Sequence, residues 1–442
     1  MLPAATTTPP QQPPPLSTQP LVRRLAVAST PTRLSVLRAV FIVLAVVFAV
    51  VGAFGVNQRA KSIDHVRTAS AQLLALQDIQ VRIVHADAIA SSSYLRSGQE
   101  DPAQRTAYLD EISKAGDGLV AVSAAAGAGD LAQLSEASRL LGSYVGLVEQ
   151  ARANNRQGFP VGATYQRQAN SIISNADPDV PDIVSSLQTV EASQRSQVNH
   201  NLATAHRAGI WLHLTGWLLF ISLAVGSWWL WRTFRRIFNI PIAAALLVLF
   251  LLLLIGGTTQ AGAVSNADSA VGNQLSAADD AAQARAAAFE ARSQEALTLI
   301  NRGNGAANEV NWQRGDDVVR KELESGLPGD EAILLDAGQA YASYRAAHEE
   351  IRTLDDSGNW DAAVAVSLGE QLTASNADAV ATFDEFDKTV GQLATSEGAD
   401  ASARLSDAVS PMRTLRNLVV VVALLIGALA ALGCGQRLRE YR

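Results

Sequence analysis

The sequence predicts an all-α membrane protein with four transmembrane helices and two extracytoplasmic four-helix bundles. The first observation is a set of four apolar stretches, each about as long as the roughly 20 residues that a helix needs to cross a bilayer. The second is helical periodicity, without a strand pattern, in the polar regions between them. The third is a likeness between those two regions, which indicates an internal duplication. The apolar stretches lie at 37–56, 208–231, 237–264 and 417–435.

The amino-terminal part is predicted to be a disordered cytoplasmic tail followed by the first span. Residues 1–36 are rich in proline and threonine, a composition that cannot build a hydrophobic core. Arg23, Arg24 and Arg33 precede the span at 37–56. Because positive charges mark the cytoplasmic end of a span, we expect the amino terminus inside the cell.

The region 57–207 is predicted to be the first outer helical bundle. Its opening helix carries two series of residues spaced by seven, as the seam positions of packed helices are. Turn signals rich in glycine and proline divide the rest into further helical segments. The two series are Val66, Leu73, Gln80 and Asp87, and Ala69, Leu76, Ile83 and Ala90.

Gln80 and Asp87 are the candidate ligand or partner contacts of this bundle. They occupy seam positions where an apolar side chain would stabilise more, and an unpaired buried carboxylate would cost several kcal/mol. One interpretation is a hydrated seam or a device that fixes the register of the helices. The other is a contact with a ligand or a partner between the helices. The sequence alone is compatible with both.

The two middle spans form a hairpin with a very short turn. The spans at 208–231 and 237–264 are separated only by residues 232–236. Three arginines in so short a turn indicate the cytoplasmic side of the membrane, and they are the candidate docking surface for a cytoplasmic partner. These residues are Arg232, Arg235 and Arg236.

The second half of the chain repeats the plan of the first. Region 265–416 is predicted to be the second outer bundle, 417–435 the fourth span and 436–442 a cytoplasmic tail. Four spans place both termini on the same side, so both are expected in the cytoplasm of a multi-pass protein of the cell membrane.

Residue matches between the two bundles support the internal duplication. At an offset of 200, Tyr144 is matched by Tyr344 and Gly158 by Gly358. Serine, glutamate and arginine residues between and beside these positions match at the same offset. The pairs are Ser143 and Ser343, Glu149 and Glu349, and Arg152 and Arg352.

Motifs that carry catalysis or cofactor binding are missing from the sequence. Its six histidines show no metal-binding spacing, no glycine-rich phosphate loop follows a strand, and there is no nucleophile elbow. We therefore predict no enzyme activity, no cofactor and no metal site. No basic face that would suit a nucleic acid is present. The single Cys434 excludes an intramolecular disulfide.

This layout resembles the GlnX family of four-span actinobacterial membrane proteins. The likeness is strongest in residues 91–99 (SSSYLRSGQ) and 162–172 (GATYQRQANSI). The outer bundles also look like the sensory domains of bacterial chemoreceptors. The resemblance implies two partners, a glutamine-type solute-binding lipoprotein outside and the serine/threonine kinase G inside. It further implies that the protein reports external aspartate, glutamate or glutamine.

The function hypothesis is a non-enzymatic transmembrane signal transducer that relays amino-acid availability from the lipoprotein to the kinase. One alternative is a sensor that binds a small ligand directly within the outer bundles. Another is an accessory subunit of a solute transporter, although the spans lack the charged side chains of an ion pathway. The layout leaves room for a homo-oligomer.

Overall fold

The computed structural model of the protein describes residues 30–96, 101–158, 160–175, 177–234, 239–324 and 331–439. Of these residues 91% are helical and none is in a strand, so the predicted all-α class is confirmed. The helices of the first half are α1 (Thr30–Val47), α2 (Ala53–Leu95), α3 (Pro102–Ala125), α4 (Ala128–Arg156), α5 (Val161–Ile173), α6 (Ile183–Ala208) and α7 (Ile210–Phe234). Those of the second half are α8 (Ile240–Ser269), α9 (Ser276–Ile300), α10 (Ala306–Glu324), α11 (Glu331–Asp356), α12 (Trp360–Ser367) and α13 (Ala379–Arg439).

Helix starts follow from local capping chemistry. The Asp101 side chain accepts a hydrogen bond from the backbone N–H of Ala103 at 2.9 Å, and Pro102 occupies the first position of α3. Asp182 and Ser185 form a capping box at the start of α6. Side-chain acceptors at these positions satisfy backbone N–H groups that lack partners within the helix.

Four helical stretches are long and apolar enough to cross a membrane, as predicted for a multi-pass membrane protein. Two of them pass through a π-helical turn, Phe48–Gly52 between α1 and α2 and Ala270–Leu275 between α8 and α9. The stretches are Thr32–Leu95, Ile183–Thr233, Ile240–Ile300 and Ala379–Gln436. The side of the membrane on which the termini lie stays a prediction, and residues 1–29 and 440–442 lie outside the described residues.

The chain divides into two compact units. The membrane unit contains the described residues up to Gly55, Ile210–Gly257 and the described residues from Arg416 onward. The bundle unit contains a first arm, Val56–Gly209, and a second arm, Thr258–Leu415.

Helices of the membrane unit approach closely at glycines. A Cβ atom added to Gly216 would collide with Leu253, and one added to Gly226 would collide with Phe41. Small residues allow helix backbones to approach closely where no hydrophobic force drives helices together in lipid. Side chains of α8 and α1 thus lie directly against α7 at these two glycines.

The two arms of the bundle unit share one hydrophobic core. A single buried cluster joins Leu76, Tyr108 and Tyr144 of the first arm to Phe289 and Phe386 of the second. The prediction of two separate bundles is therefore wrong, because the buried faces of the described helices of the two arms pack against each other. The bundle unit is therefore one domain built from both halves of the chain.

Helices α2 and α9 form a parallel pair at the centre of this domain. Gln77 contacts Asp279, and Ser91 contacts Ser293. In both contacts the partners are 202 positions apart, which shows that the two helices run in the same direction. The contacts are separated by two heptads on each helix, the register of a coiled-coil seam. We call this α2–α9 contact the seam.

Some matched residues of the proposed duplication occupy equivalent places. Tyr144 on α4 and Tyr344 on α11 are both fully buried. Gly158 and Gly358, which follow these helices, both have a positive φ, 70° and 82°, a conformation that glycine adopts without steric cost. The architectural repeat is thus visible, while common ancestry of the arms stays a prediction.

Arg59 joins three helices of the bundle unit. This residue on α2 is only 7% exposed. Its guanidinium donates to the carbonyl oxygens of Ala205 at 2.8 Å, His206 at 3.1 Å and Gln260 at 3.3 Å. The first two carbonyls lie in the last turn of α6, where helices leave acceptors without internal partners. A Cβ atom on Gly209, the C-cap, would collide with this guanidinium.

Candidate functional site

Asp87 on α2 lies where α5 of the same arm and α9 of the second arm meet. Its side chain is 1% exposed. The Oδ2 atom accepts hydrogen bonds from Ser293 Oγ on α9 at 2.5 Å and from Asn170 Nδ2 on α5 at 2.8 Å. Burial raises the pKa of the Asp87 carboxyl, and the two hydrogen bonds oppose that rise. The residue predicted from seven-residue spacing therefore occupies a buried polar junction.

A chain of amide side chains extends from Asp87 into the second arm. Asn170 accepts a hydrogen bond from Gln294 at 3.1 Å, and Gln294 accepts one from Asn308 on α10 at 2.7 Å. Asn308 in turn accepts one from Asn301 at 2.7 Å. Hydrogen bonds in such a chain polarise one another. The chain therefore links α5 of the first arm to α9 and α10 of the second.

Gln80 does not belong to this junction. It is half-buried on α2, whereas Gln77, one turn earlier, is 4% exposed and donates to Asp279. Arg195 of α6 contacts the same carboxylate. Gln77, and not Gln80, makes the seam contact that the structure shows, and a ligand or partner contact of Gln80 stays a prediction.

Glu191 brings a titratable group close to the Gln77–Asp279 contact of the seam. It is 7% exposed and lies 3.9 Å from Arg195. Burial raises the pKa of Glu191 to about 7, against the opposing charge of Arg195. The sequence gives no sign of this burial, since Glu191 stands in a polar helix.

Replacing Asp87 should weaken the bundle unit. In Asp87→Leu the Ser293 hydroxyl loses its carboxylate acceptor and Asn170 keeps only its 3.3 Å hydrogen bond to Ser293, and a buried donor left unsatisfied costs about 1–3 kcal/mol. We therefore expect a clearly lower melting temperature of the detergent-solubilised protein. Asp87→Asn keeps one acceptor oxygen and should cost less.

Asp64→Leu is the matched control for Asp87→Leu. Asp64 is also on α2 but is exposed and ion-paired with Arg67 at 2.9 Å, a surface contact worth about 0–1 kcal/mol. Equal losses in Asp87→Leu and Asp64→Leu would show that the junction does not contribute to stability.

A second polar cluster lies inside the second arm around Glu295. This carboxylate is 1% exposed. It lies 2.9 Å from His348 Nδ1 and accepts hydrogen bonds from Ser367 at 2.9 Å and Tyr344 at 3.2 Å. The Arg292 guanidinium is 3.8 Å away. Two further helices, α11 and α12, are thus tied to this buried carboxylate of α9.

His348 is held between two carboxylates and an indole ring. Its Nε2 atom lies 3.3 Å from Glu309, and its ring stacks on Trp312 with centroids 3.6 Å apart. Burial alone would lower the pKa of His348, but hydrogen bonds and charges from Glu295 and Glu309 outweigh it and hold the pKa above its ordinary value. The converse holds for Glu295, whose pKa burial would raise and His348 holds lower. Both shifts favour the charged forms of the imidazole and the carboxylates in this cluster.

A cavity of about 290 Å³ opens between the arms. It is bounded by α2 and α3 of the first arm and by α9, α12 and α13 of the second. Its walls combine aromatic and aliphatic side chains with charged ones. The aromatic and charged residues of the wall are His85, Arg96, Phe289, Arg292, Phe383 and Asp384.

The predicted cytoplasmic docking surface is only partly described. Arg232 is exposed near the end of α7, with its guanidinium carbon 5.6 Å from the ring centre of Trp228. Arg235 and Arg236 lie outside the described residues. Within the parts of the chain that the structure describes, no group of three or more histidine, cysteine, aspartate or glutamate side chains is placed to hold a metal ion.

The fold and the junction define a class, a multi-pass all-α membrane protein whose two arms meet at a buried polar seam. Comparison with known families makes this more specific. Residues 62–203 match the family model described as Actinobacterial sensor domain. No curated protein and no solved structure matches the chain.

The matched range covers most of the first arm, including Asp87 and α5. The resemblance to an actinobacterial sensor protein is confirmed at this level, and the similarity indicates a sensing or signalling role. A sensor domain also favours a non-catalytic role.

Proposed function

We propose that the chain is a non-enzymatic transmembrane signal transducer whose bundle unit faces the outside of the cell. The observation that carries the proposal is that each apolar stretch continues as a helix of the bundle unit, as in Thr32–Leu95 and Ile240–Ile300. Packed helices shift between discrete arrangements. A change at the seam can therefore be passed along the same helices into the membrane unit.

The partners follow from the family resemblance. In this proposal a solute-binding lipoprotein loaded with aspartate, glutamate or glutamine contacts the bundle unit, and a cytoplasmic serine/threonine kinase receives the signal. Arg232 near the end of α7, together with Arg235 and Arg236 after it in the sequence, supplies the basic docking surface. Three arginines in so short a segment between two apolar stretches support a cytoplasmic location for it by the positive-inside rule.

Insertion of four glycines between Gly55 and Val56 tests the coupling. This position is the boundary of the two units within α2. Four residues rotate the helix by about 40° beyond a full turn and add about 6 Å, and each glycine costs about 1 kcal/mol of helix stability. In a deletion strain that carries this variant, kinase-substrate phosphorylation should no longer respond to added aspartate, glutamate or glutamine.

The matched control carries the same four glycines between Ser357 and Gly358, at an exposed turn of the second arm. This protein should respond like the wild type, and both variants should reach the membrane in equal amounts. A full response of the Gly55 variant would remove α2 as the route of the signal. Indistinguishable responses in the wild-type and deletion strains would overturn the transducer itself.

Direct ligand sensing by the bundle unit is the second candidate for the input. The cavity between the arms favours it, because a small molecule bound there would touch both sides of the interface that the first proposal requires to move.

A further inference from the structure

The cavity between the arms contains two guanidinium groups with unused donors. Arg292 is 8% exposed and donates one hydrogen bond, at 3.1 Å, to the carbonyl oxygen of Ser367. Its Nη1 atom has no hydrogen-bond partner among the described residues. Glu295 lies 3.8 Å from it and already accepts hydrogen bonds from Ser367 and Tyr344. A buried guanidinium N–H without an acceptor is costly, so an incoming acceptor would be favoured.

Arg96 provides the second guanidinium, from the other arm. Its Nε atom is buried and has no hydrogen-bond partner among the described residues. Its Nη atoms lie 3.8 Å from Asp101 and 3.6 Å from Glu370, distances of ion pairs without direct hydrogen bonds. Arg96 is thus held at the cavity with donors that a closer acceptor could take.

The charge of the cavity wall favours an anion. Asp384 is the carboxylate in the wall, and burial raises its pKa against the opposing charge of Arg292. His85 stacks on Phe289 with centroids 4.1 Å apart, and burial lowers its pKa, which favours the neutral ring. The cavity lining thus includes two guanidinium groups and one carboxylate, and burial opposes the ionisation of that carboxylate.

Size and wall chemistry restrict the anion further. The cavity volume of about 290 Å³ is close to about 300 Å³, the lower limit of volumes for small-molecule sites. Phe289, Phe383, Leu368 and Val380 contribute apolar surface to the wall. An inorganic ion would leave that surface without contacts, whereas a small organic acid would cover it. The planar guanidinium fork matches a carboxylate in two hydrogen bonds.

We propose that this cavity binds a small organic carboxylate, which Arg96 and Arg292 hold from opposite arms. The inference rests on the proposed sensor function and specifies its input as a molecule bound by the chain itself. A ligand that accepts hydrogen bonds from both arginines ties the first arm to the second beside the seam. Occupancy of the cavity thereby changes the free energy of the cross-arm contact.

Binding can be measured on the full chain in lipid nanodiscs by titration calorimetry and by the shift of its melting temperature. The probes are succinate, L-aspartate, inorganic phosphate and succinamide, the neutral analogue of succinate. Succinate or L-aspartate should bind and raise the melting temperature, whereas succinamide should not. Arg96→Gln should weaken carboxylate binding at least about tenfold, the effect of losing one charge-assisted hydrogen bond.

Arg105→Gln is the matched control. Arg105 also lies in the first arm and is similarly exposed, 33% against 27% for Arg96. It pairs with Glu149 at 2.6 Å and does not line the cavity. The affinity of the Arg105→Gln protein for the carboxylate should equal that of the wild type. Arg96→Lys, which keeps the charge but loses the fork, should bind with intermediate affinity, and melting temperatures without ligand show whether each variant is folded.

Four results would overturn the carboxylate site. They are binding of succinamide as tight as succinate, tighter binding of phosphate than of both carboxylates, unchanged binding by folded Arg96→Gln, and no binding of any probe. The glycine insertion separates this proposal from the transducer. If the Gly55 variant loses signalling but the wild type binds no carboxylate, the carboxylate site is wrong and the transducer proposal stands. If the wild type binds a carboxylate but the Gly55 variant signals normally, the site stands and the coupling through α2 is wrong.

Discussion

Glu295→Ala should destabilise the protein by about 3–5 kcal/mol, the usual loss when one member of a buried ion group is removed. The change leaves His348 and Arg292 without their common counter-ion and leaves the hydroxyls of Tyr344 and Ser367 without an acceptor. The measurement is thermal or urea unfolding of the solubilised protein. Glu385→Ala, at an exposed glutamate 3.1 Å from Lys388, is the control and should change stability by less than about 1 kcal/mol.

The loss in Glu295→Ala should also depend on pH. Because the folded pKa of His348 is raised above its ordinary 6.5, its ion pair stabilises the fold fully below that value and loses this contribution as the pH rises through the folded pKa. The difference between wild type and Glu295→Ala should therefore be larger at pH 6 than at pH 9. A difference that is constant with pH would show that His348 is not the charged partner.

Arg59→Met should destabilise the bundle unit by about 3 kcal/mol or more. The change removes three charge-assisted hydrogen bonds, each worth about 1.5–3 kcal/mol, from acceptors on two other helices. Methionine keeps most of the side-chain volume, so the loss reports on hydrogen bonding and not on packing. The expected observations are a lower melting temperature and faster amide hydrogen exchange around Ala205 and His206.

The control for Arg59→Met is Arg67→Met on the same helix. Arg67 is exposed and pairs with Asp64. Its replacement should be nearly neutral. Similar unfolding curves for Arg59→Met and the wild type would mean that water or another donor satisfies the carbonyls at the end of α6.

The sequence was informative wherever one helix determines its own environment. The four spans could be predicted because their apolar length is a local property. Asp87 could be singled out because the packed face of α2 follows a period of seven. The glycines at 158 and 358 marked helix ends, and both have the positive φ that such ends often require.

The shared core could not be predicted in this way. Every residue of α9 from Ala291 to Leu299 is buried, although Arg292, Gln294 and Glu295 are polar or charged. A surface helix would expose such residues. Their burial depends on partners far away in the sequence, such as His348 and Ser367 for Glu295. Nothing in the spacing of α9 reveals those contacts.

The cavity arginines were missed for the same reason. Arg96 stands at the end of α2 and Arg292 within α9, and each looks like an ordinary surface arginine in its own segment. Their relation appears only when α2 and α9 lie parallel with partners 202 positions apart. Seven-residue spacing identified a packed face of α2 that includes Asp87. The helix that packs against this face, α9, belongs to the other arm and could not be inferred from that spacing.

A domain assembled from both halves of one chain fixes the stoichiometry of its central interface. The facing helices α2 and α9 belong to one chain. Their association is therefore intramolecular and does not depend on protein concentration. The two faces also differ, since Asp87 on one side meets Ser293 on the other. In a symmetric homodimer a substitution would alter both faces at once. Here each side can change independently, and a stimulus can act on one arm without an equal event on the other.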